Sequence, residues 1–212
     1  MAILAQAPVA FSAYTSIAGT SEQIIPVSTS GVIAGLTAGN FYLNNCPDGN
    51  KLSGKRFKVN VGGWLKAHGA SQTVAFGLLW QAYTSAGALN STPADTFTPV
   101  ASAALTAGTY YDFVIEQEFF GDANAGKIIA YLPSVTIAGV PVTTVTVTAP
   151  LTCPNLNASA AWQEPSGQST GYITPTVGMN LPVIAFCASI TNTQVSDLVE
   201  TCALTEFTLS ME

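Results

Sequence analysis

Charged side chains are scarce in this sequence of 212 residues. Lys, Arg, Asp and Glu make up 8% of the chain and the formal net charge is −6, whereas a typical soluble domain carries about 25% charged residues. Because nucleic acids and anionic membranes are bound through clustered cations, this composition argues against both as partners. So few charges leave a surface of small polar and apolar side chains, which suits burial in a protein assembly.

The few cations lie close together around one predicted strand. Five of the six Lys and Arg residues are Lys51, Lys55, Arg56, Lys58 and Lys66. Because the rest of the chain is acidic, a solvated strand face is favoured over a phosphate site. A shell protein that touches a genome is expected to carry a basic arm, but the first fifty residues contain no Lys or Arg.

Long hydrophobic runs are also missing. No apolar stretch reaches the roughly 18 residues that a membrane-spanning helix needs. The chain starts Met-Ala-Ile-Leu-Ala-Gln, with no positive region and with polar residues early, which is not typical of a secretory signal. We therefore expect synthesis in a cytosol and no insertion into a membrane.

Cysteine and histidine are too few and too widely spaced to predict a metal site or a nucleophilic centre. The four cysteines, Cys46, Cys153, Cys187 and Cys202, show no C-x-x-C spacing, so we expect buried thiols and leave any disulfide pairing open. The one histidine, His68, lies in a predicted turn, and no G-x-S-x-G elbow is present. We predict no catalytic residue, no cofactor and no metal, and hence a protein that is not an enzyme.

Alternating apolar and polar residues predict β-strands along much of the chain. Residues 55–66 alternate around the pair Gly62-Gly63, which indicates a bulge or the close approach of another backbone. Residues 72–83 place Val74, Phe76, Leu78 and Trp80 on one face. Because only a short turn separates them, these two segments are predicted to form an antiparallel pair.

A second hairpin is predicted over residues 110–135, where two alternating segments flank a loop rich in Gly, Asp and Asn. Long connections are expected at 84–108 and 150–178, and a short helix at 193–200. Further strands are predicted over residues 22–28, 142–148, 181–190 and 202–211.

Together these strands predict an all-β, antiparallel two-sheet sandwich of jelly-roll type with an extended N-terminal arm. Residues 1–50 form the arm, with one short strand, and residues 51–212 form the jelly-roll domain. Since the arm is apolar and nearly uncharged, we expect it to add little to the core of its own domain and to lie against a neighbouring subunit.

Two sets of residues allow a role in carbohydrate chemistry. Glu116 and Glu118 lie on one strand face about 7 Å apart, as a glycosidase carboxylate pair could, although a solvent-facing acidic edge is favoured. Trp64, Trp80 and Trp162 could form a sugar-stacking platform. We favour a core position for Trp80 and interface positions for the other two tryptophans.

Three segments carry a resemblance to a known family. Residues 54–63 (Gly-Lys-Arg-Phe-Lys-Val-Asn-Val-Gly-Gly), residues 118–127 (Glu-Phe-Phe-Gly-Asp-Ala-Asn-Ala-Gly-Lys) and the closing strand 204–211 resemble virion proteins of tailed bacteriophages, in particular jelly-roll decoration or cement proteins. The resemblance implies trimers that sit on the capsid lattice and tie neighbouring major capsid proteins together. It implies no particular binding residues.

The expected function is therefore structural. We predict a virion protein on the outer surface of a capsid, which stabilises the lattice by binding the major capsid protein and itself, as a homotrimer. The alternatives are a carbohydrate- or host-binding module on the same kind of particle, a shell or tail-tube subunit, and an enzyme. The candidate interface residues are Ile3, Leu4, Phe11, Ile24, Ile25, Trp64 and Trp162.

Overall fold

The computed structural model describes residues 1–7, 14–17, 21–27, 43, 52, 54–69, 71–83, 89–122, 127–143, 145–146, 151–152, 184–192 and 199–212. Within these ranges the chain forms fourteen β-strands. The strands are β1 (Ala2–Gln6), β2 (Tyr14–Ile17), β3 (Gln23–Ile24), β4 (Arg56–Ala67), β5 (Val74–Tyr83), β6 (Leu89–Asp95), β7 (Val100–Ala101), β8 (Tyr110–Asp122), β9 (Lys127–Ala130), β10 (Ser134–Ile137), β11 (Val140–Val142), β12 (Leu151–Thr152), β13 (Ile184–Asn192) and β14 (Val199–Met211). No helix in the described ranges is long and apolar enough to cross a membrane.

The strands form two antiparallel sheets. The larger sheet has nine strands in the order β1-β14-β4-β8-β10-β11, with β2 paired to β14, β9 to β8 and β12 to β9. The smaller sheet has five strands in the order β3-β13-β5-β6, with β7 paired to β5. The predicted all-β, two-sheet sandwich is therefore confirmed.

Strand β4 shows how the sequence produces these sheets. Its side chains alternate between buried and solvent-facing over all twelve residues, because successive residues of a strand point to opposite faces. The buried set, which includes Phe57, Val59 and Leu65, is apolar and fully covered. The opposite set contains Lys58, Asn60 and other polar residues, so this strand presents a polar outer face.

Aromatic contacts join the two sheets across the core. The ring of Phe119 in the larger sheet lies 5.2 Å from that of Phe186 in the smaller sheet, measured between centroids. Phe76 and Phe113 make a second contact of this kind at 4.0 Å. Each such pair contributes about 0.5–1.5 kcal/mol beyond the burial of its area, so these contacts fix how the sheets face each other.

The pairing predicted between residues 55–66 and 72–83 is wrong. Strand β4 pairs with β8 and β14 in the larger sheet, whereas β5 pairs with β13, β6 and β7 in the smaller one. The turn between them crosses from one sheet to the other, and the buried Gln72 side chain accepts hydrogen bonds from the backbone N–H groups of His68 and Gly69. The apolar faces of β4 and β5 therefore meet across the core instead of lying side by side.

Several predicted segments, among them strands, a connection and a helix, differ in the structure. The strand predicted at 22–28 is limited to β3, and the one predicted at 142–148 is represented by β11, which ends at Val142. The connection predicted at 84–108 contains β6 and β7. The helix predicted at 193–200 overlaps the start of β14, and its other residues lie outside the described ranges.

The described part of the first fifty residues belongs to both sheets. Strands β1 and β2 pair with β14, and β3 pairs with β13. The buried side chains in this part are Ala5, Ala7, Ile25, Val27 and Leu43. The expectation that these residues add little to the core is therefore wrong, because their apolar groups are covered by strands of the same chain. The division of the chain at residue 50 stays a prediction.

The prediction for Gly62-Gly63 is confirmed. The register of β14 against β4 shifts between Leu204 and Glu206, opposite the two glycines. A Cβ atom at Gly63 would lie 2.6 Å from the carbonyl oxygen of Ala203 and would also meet the ring of Phe113. Only glycine fits at this position, because both the neighbouring backbone and a core ring occupy the space.

Candidate functional site

The outer face of the larger sheet presents charged, polar and aromatic side chains to solvent. It is built mainly by β4 and β8, which pair over eleven residues in register. Because the buried faces of both strands are taken up by the core, their alternate residues point outward. We call the following residues the outer face: Arg56, Lys58, Asn60, Trp64, Lys66, Tyr110, Asp112, Val114, Glu116 and Glu118.

Two ion pairs cross the outer face. The Lys58 ammonium lies 2.9 Å from a carboxylate oxygen of Glu116, and the Arg56 guanidinium lies 3.7 Å from Glu118. Ion pairs as exposed as these contribute at most about 1 kcal/mol each to stability. They place two cations and two carboxylates next to one another on the surface.

A cleft of about 240 Å³ lies at these charged residues. Its lining consists of Lys58, Glu116, Glu118, Tyr131, Leu132 and Ser134. The segment 131–133 separates β9 from β10 and forms one wall of the cleft. Tyr131 remains attached to β8, because its backbone N–H donates a hydrogen bond of 2.9 Å to the carbonyl oxygen of Glu118.

Neighbouring side chains also contact the ring and the backbone of Tyr131. The Arg56 guanidinium lies over this ring, 5.0 Å from its centroid. From the core side, Gln117 donates a hydrogen bond of 2.9 Å from Nε2 to the carbonyl oxygen of Tyr131. The cleft is thus shaped by contacts from both faces of the sheet.

An aromatic pair forms the other end of the outer face. The rings of Trp64 and Tyr110 are 5.6 Å apart and tilted by 59°, and the Lys66 ammonium lies 5.6 Å from the Tyr110 ring centroid. Tyr110 is 63% exposed. Trp64 is six residues from Lys58 on β4, a distance of about 20 Å at the rise of a strand.

The predicted interface residues do not form one surface. Ile3, on β1, is exposed beside Ser210, whereas Leu4 packs against the core. Ile24 is half-buried on β3, and Ile25 is a core residue with no exposed area. Its prediction as an interface residue is wrong, because strands of the same chain cover it.

The three tryptophans considered in the sequence analysis do not share one position. Trp64 lies half-buried on the outer face, as its place on the polar side of the strand predicts. Trp80 is confirmed as a core residue, with 5% of its surface exposed. Trp162 and the predicted interface residue Phe11 lie outside the described ranges.

The cysteines and the histidine form no reactive cluster in the part of the chain that the structure describes. Cys187 and Cys202 are both buried and not joined in a disulfide, and burial raises the pKa of the Cys202 thiol far above its usual range. Cys46 and Cys153 lie outside the described ranges. Among the described residues, no three His, Cys, Asp or Glu side chains are grouped closely enough to hold a metal ion.

Comparisons with known proteins give only distant likenesses. No protein-family model and no curated protein matches the chain. A solved structure of the alginate lyase Aly36B, a double mutant in complex with an alginate trisaccharide, is 12% identical with a TM-score of 0.33, over 94% of this chain and 81% of that chain. Another structure of this lyase, with an alginate tetrasaccharide, is 14% identical with a TM-score of 0.23, over 88% and 78%. At these TM-scores neither likeness carries an argument for lyase activity in this chain.

Two expectations from the sequence are nevertheless corrected. Both solved structures are of a lyase bound to alginate, and neither is a capsid protein. The assignment to capsid decoration is therefore withdrawn, as is the expectation that the chain is not an enzyme. A sparsely charged surface suits a ligand-binding protein as well as a capsid subunit, so composition could not distinguish them. The resemblance to phage virion proteins and the expected location and partners are not tested by these likenesses.

Sequence patterns identified part of this site. Glu116, Glu118 and Trp64 were singled out by their place on polar strand faces, and all three lie on the outer face. Tyr131, Leu132 and Tyr110 were not. Tyr131 and Leu132 contribute to the cleft only because β9 and β10 both pair with β8, which leaves the segment between them as a wall.

Proposed function

We propose that this chain binds an oligosaccharide along the outer face of the larger sheet, with the cleft beside Tyr131 as the principal subsite. The observation that carries the proposal is the arrangement of this face: the Trp64 and Tyr110 rings lie at one end, and Tyr131 and two ion pairs lie at the cleft. Sugars present apolar C–H surfaces that pack on aromatic rings, and hydroxyl groups that bind carboxylates and ammonium groups.

The geometry supports an extended ligand. The distance of about 20 Å between Lys58 and Trp64 along β4 exceeds the length of a single sugar ring and suits an oligosaccharide. A cleft of about 240 Å³ is smaller than the usual pocket for a drug-sized ligand, which is about 300–1,000 Å³. The cleft therefore holds one part of the ligand while the rest lies across the open face.

Cleavage of the bound glycan is the second candidate function. Glu116, Glu118, Lys58 and Tyr131 line the same cleft, and these are side chains that can act as general acids, bases or nucleophiles at a glycosidic bond. Incubation of the protein with oligosaccharides, followed by detection of new reducing ends, tests this function. Turnover that is abolished by Glu116→Gln would support it, whereas turnover that persists in that variant would place the chemistry elsewhere.

Binding is tested with a glycan array followed by isothermal titration calorimetry on each glycan that binds. Leu132→Ala alters the cleft and Trp64→Ala alters the opposite end of the outer face. Each should weaken binding of an extended ligand by about tenfold, or about 1.4 kcal/mol. Val140→Ala is the matched control, because Val140 is an exposed apolar residue that does not line this cleft. Equal affinity in all four proteins would overturn the proposed site.

A further inference from the structure

We infer that the glycan recognised at the outer face is electrically neutral, and that polyuronate and sulfated chains are discriminated against. This inference rests on the proposed function and concerns the class of ligand. It follows from the way in which the charges of the outer face are paired, from the sign of the remaining charge and from the kind of hydrogen-bonding group that the face offers.

The cations at the cleft are already neutralised by carboxylates of the same face. Lys58 is paired with Glu116 at 2.9 Å, and Arg56 is paired with Glu118 at 3.7 Å and also lies over Tyr131. An anionic sugar that approached Lys58 would have to displace the Glu116 carboxylate. If the Glu116 carboxylate stayed in place, the anionic sugar would lie beside a second negative charge, and this contact between like charges would destabilise the complex.

Carboxylates also flank the rest of the outer face. Asp112 is exposed and lies opposite Trp64 in the register of β4 and β8. Glu206 of β14 lies beside the outer surface of Gly62, where its Cβ atom would be 3.5 Å from an added Cβ. Three cations are therefore matched by four carboxylates here; the cations are Arg56, Lys58 and Lys66, and the carboxylates are Asp112, Glu116, Glu118 and Glu206.

The carboxylates of the outer face are hydrogen-bond acceptors that cannot donate when ionised. A neutral sugar carries hydroxyl groups, which can donate to the carboxylates of this face. An ionised uronate or sulfate group has no proton to donate.

A panel of three oligosaccharide classes tests the inference on the full chain. The panel contains neutral oligomers of glucose, mannose and xylose, anionic oligomers of guluronate, mannuronate and galacturonate, and cationic chitosan oligomers. Binding is measured by calorimetry at ionic strengths of about 0.01 M and 1 M, at which the Debye length is about 30 Å and 3 Å. We expect a neutral oligomer to bind best, with less than about a threefold change in affinity between the two salt concentrations.

Preferential binding of an anionic or a cationic oligomer, weakened about tenfold or more by salt, would overturn the inference and leave the proposed function standing. Absence of binding by every class would instead overturn the proposed function. The two failures are thus distinguishable.

A charge variant supplies an independent measurement. Glu118→Gln removes the partner of Arg56, so the variant should gain affinity for anionic oligomers that is lost at high salt. Glu212→Gln is the matched control, because it makes the same change in net charge at an exposed residue beyond the end of β14. Equal gains in the two variants would show that net charge alone excludes anions, and would overturn the role assigned to the paired charges.

Discussion

Gln117 and Tyr131 are joined by a hydrogen bond of 2.9 Å from the side-chain amide of Gln117 to the carbonyl oxygen of Tyr131. Gln117 is buried on the core side of β8, whereas Tyr131 lines the cleft on the outer face. The Thr96 hydroxyl donates to Oε1 of the same amide at 2.6 Å. The wall of the cleft is therefore fixed by a polar group inside the sandwich.

Replacement of Gln117 should disturb both the fold and the cleft. Gln117→Leu leaves the Tyr131 carbonyl without its side-chain donor, whereas the Thr96 hydroxyl keeps the carbonyl oxygen of Leu78 as an acceptor at 2.9 Å. An unsatisfied buried polar group costs about 1–3 kcal/mol. We expect a lower free energy of unfolding in urea and weaker ligand binding. Thr96→Val completes a double-mutant cycle, and the two effects should be non-additive because the residues share a network. Full additivity would show that the two residues act independently.

The two glycines of β4 should respond differently to substitution. Gly63→Ala places a Cβ atom 2.6 Å from a backbone oxygen, so we expect a loss of about 1–3 kcal/mol or more, or failure to fold. Gly62→Ala is the matched control, since its added Cβ would meet its neighbours at 3.5 Å. Urea denaturation of the two purified variants makes the comparison. Similar stabilities would contradict the close approach of β14 and Phe113 at Gly63.

Asp95 should make stability depend on pH. Burial, and then the negative charge of Glu22, raise the pKa of Asp95 above its usual value. The ionised form is therefore disfavoured in the folded state, and this residue's contribution to stability falls as the pH rises through the carboxyl range. Asp95→Asn removes the penalty, so its melting temperature should exceed that of the parent protein at pH 7.

The gain from Asp95→Asn should disappear below about pH 3.9, where the carboxyl group is protonated in both states. Thermal melts of both proteins over a series of pH values measure this difference. Glu212→Gln serves as a control for the loss of one negative charge at an exposed site. A gain that is the same at every pH would indicate a packing effect and would contradict the electrostatic cause.

Self-association of the chain stays a prediction, and exposed apolar residues suggest where to test it. Leu132, Val140 and Tyr110 are more than half exposed, and apolar groups at the surface favour association. Sedimentation equilibrium should give about three times the chain mass of 21.9 kDa for the expected trimer. A stable monomer at micromolar concentration would contradict it. Val140 lies on β11, at the edge of the larger sheet. If β11 takes part in the contact between subunits, Val140→Lys should shift the equilibrium toward monomer.

Local patterns predicted which face of each strand is buried, but not which strands pair. The alternation in β4 and β5 depends only on the period of the backbone, so the buried sets around Phe57 and Phe76 could be identified from the sequence. The same alternation is compatible with a hairpin or with opposite sheets. Strand β4 pairs instead with β14, whose Leu209 lies opposite Val59. A contact so distant in the chain leaves no local signal.

For the candidate site, too, local patterns predicted which side chains are exposed but not which strands bring them together. Glu116 and Glu118 could be placed on an exposed face because they alternate with the buried Ile115, Gln117 and Phe119. Their ion pairs with β4 depend on the register between two strands, which no spacing along the chain specifies.

The position of β13 and β14 within the sheets affects how the chain can fold during synthesis. Strand β14 lies between β4 and the early strands β1 and β2, and β13 lies between β3 and β5. Among the described strands, the first three therefore have no sheet partner until the last two have left the ribosome. Such distant pairings slow folding, because the entropy of closing a long loop must be lost before the contacts form. During that interval the early apolar strands are exposed to aggregation and to chaperones.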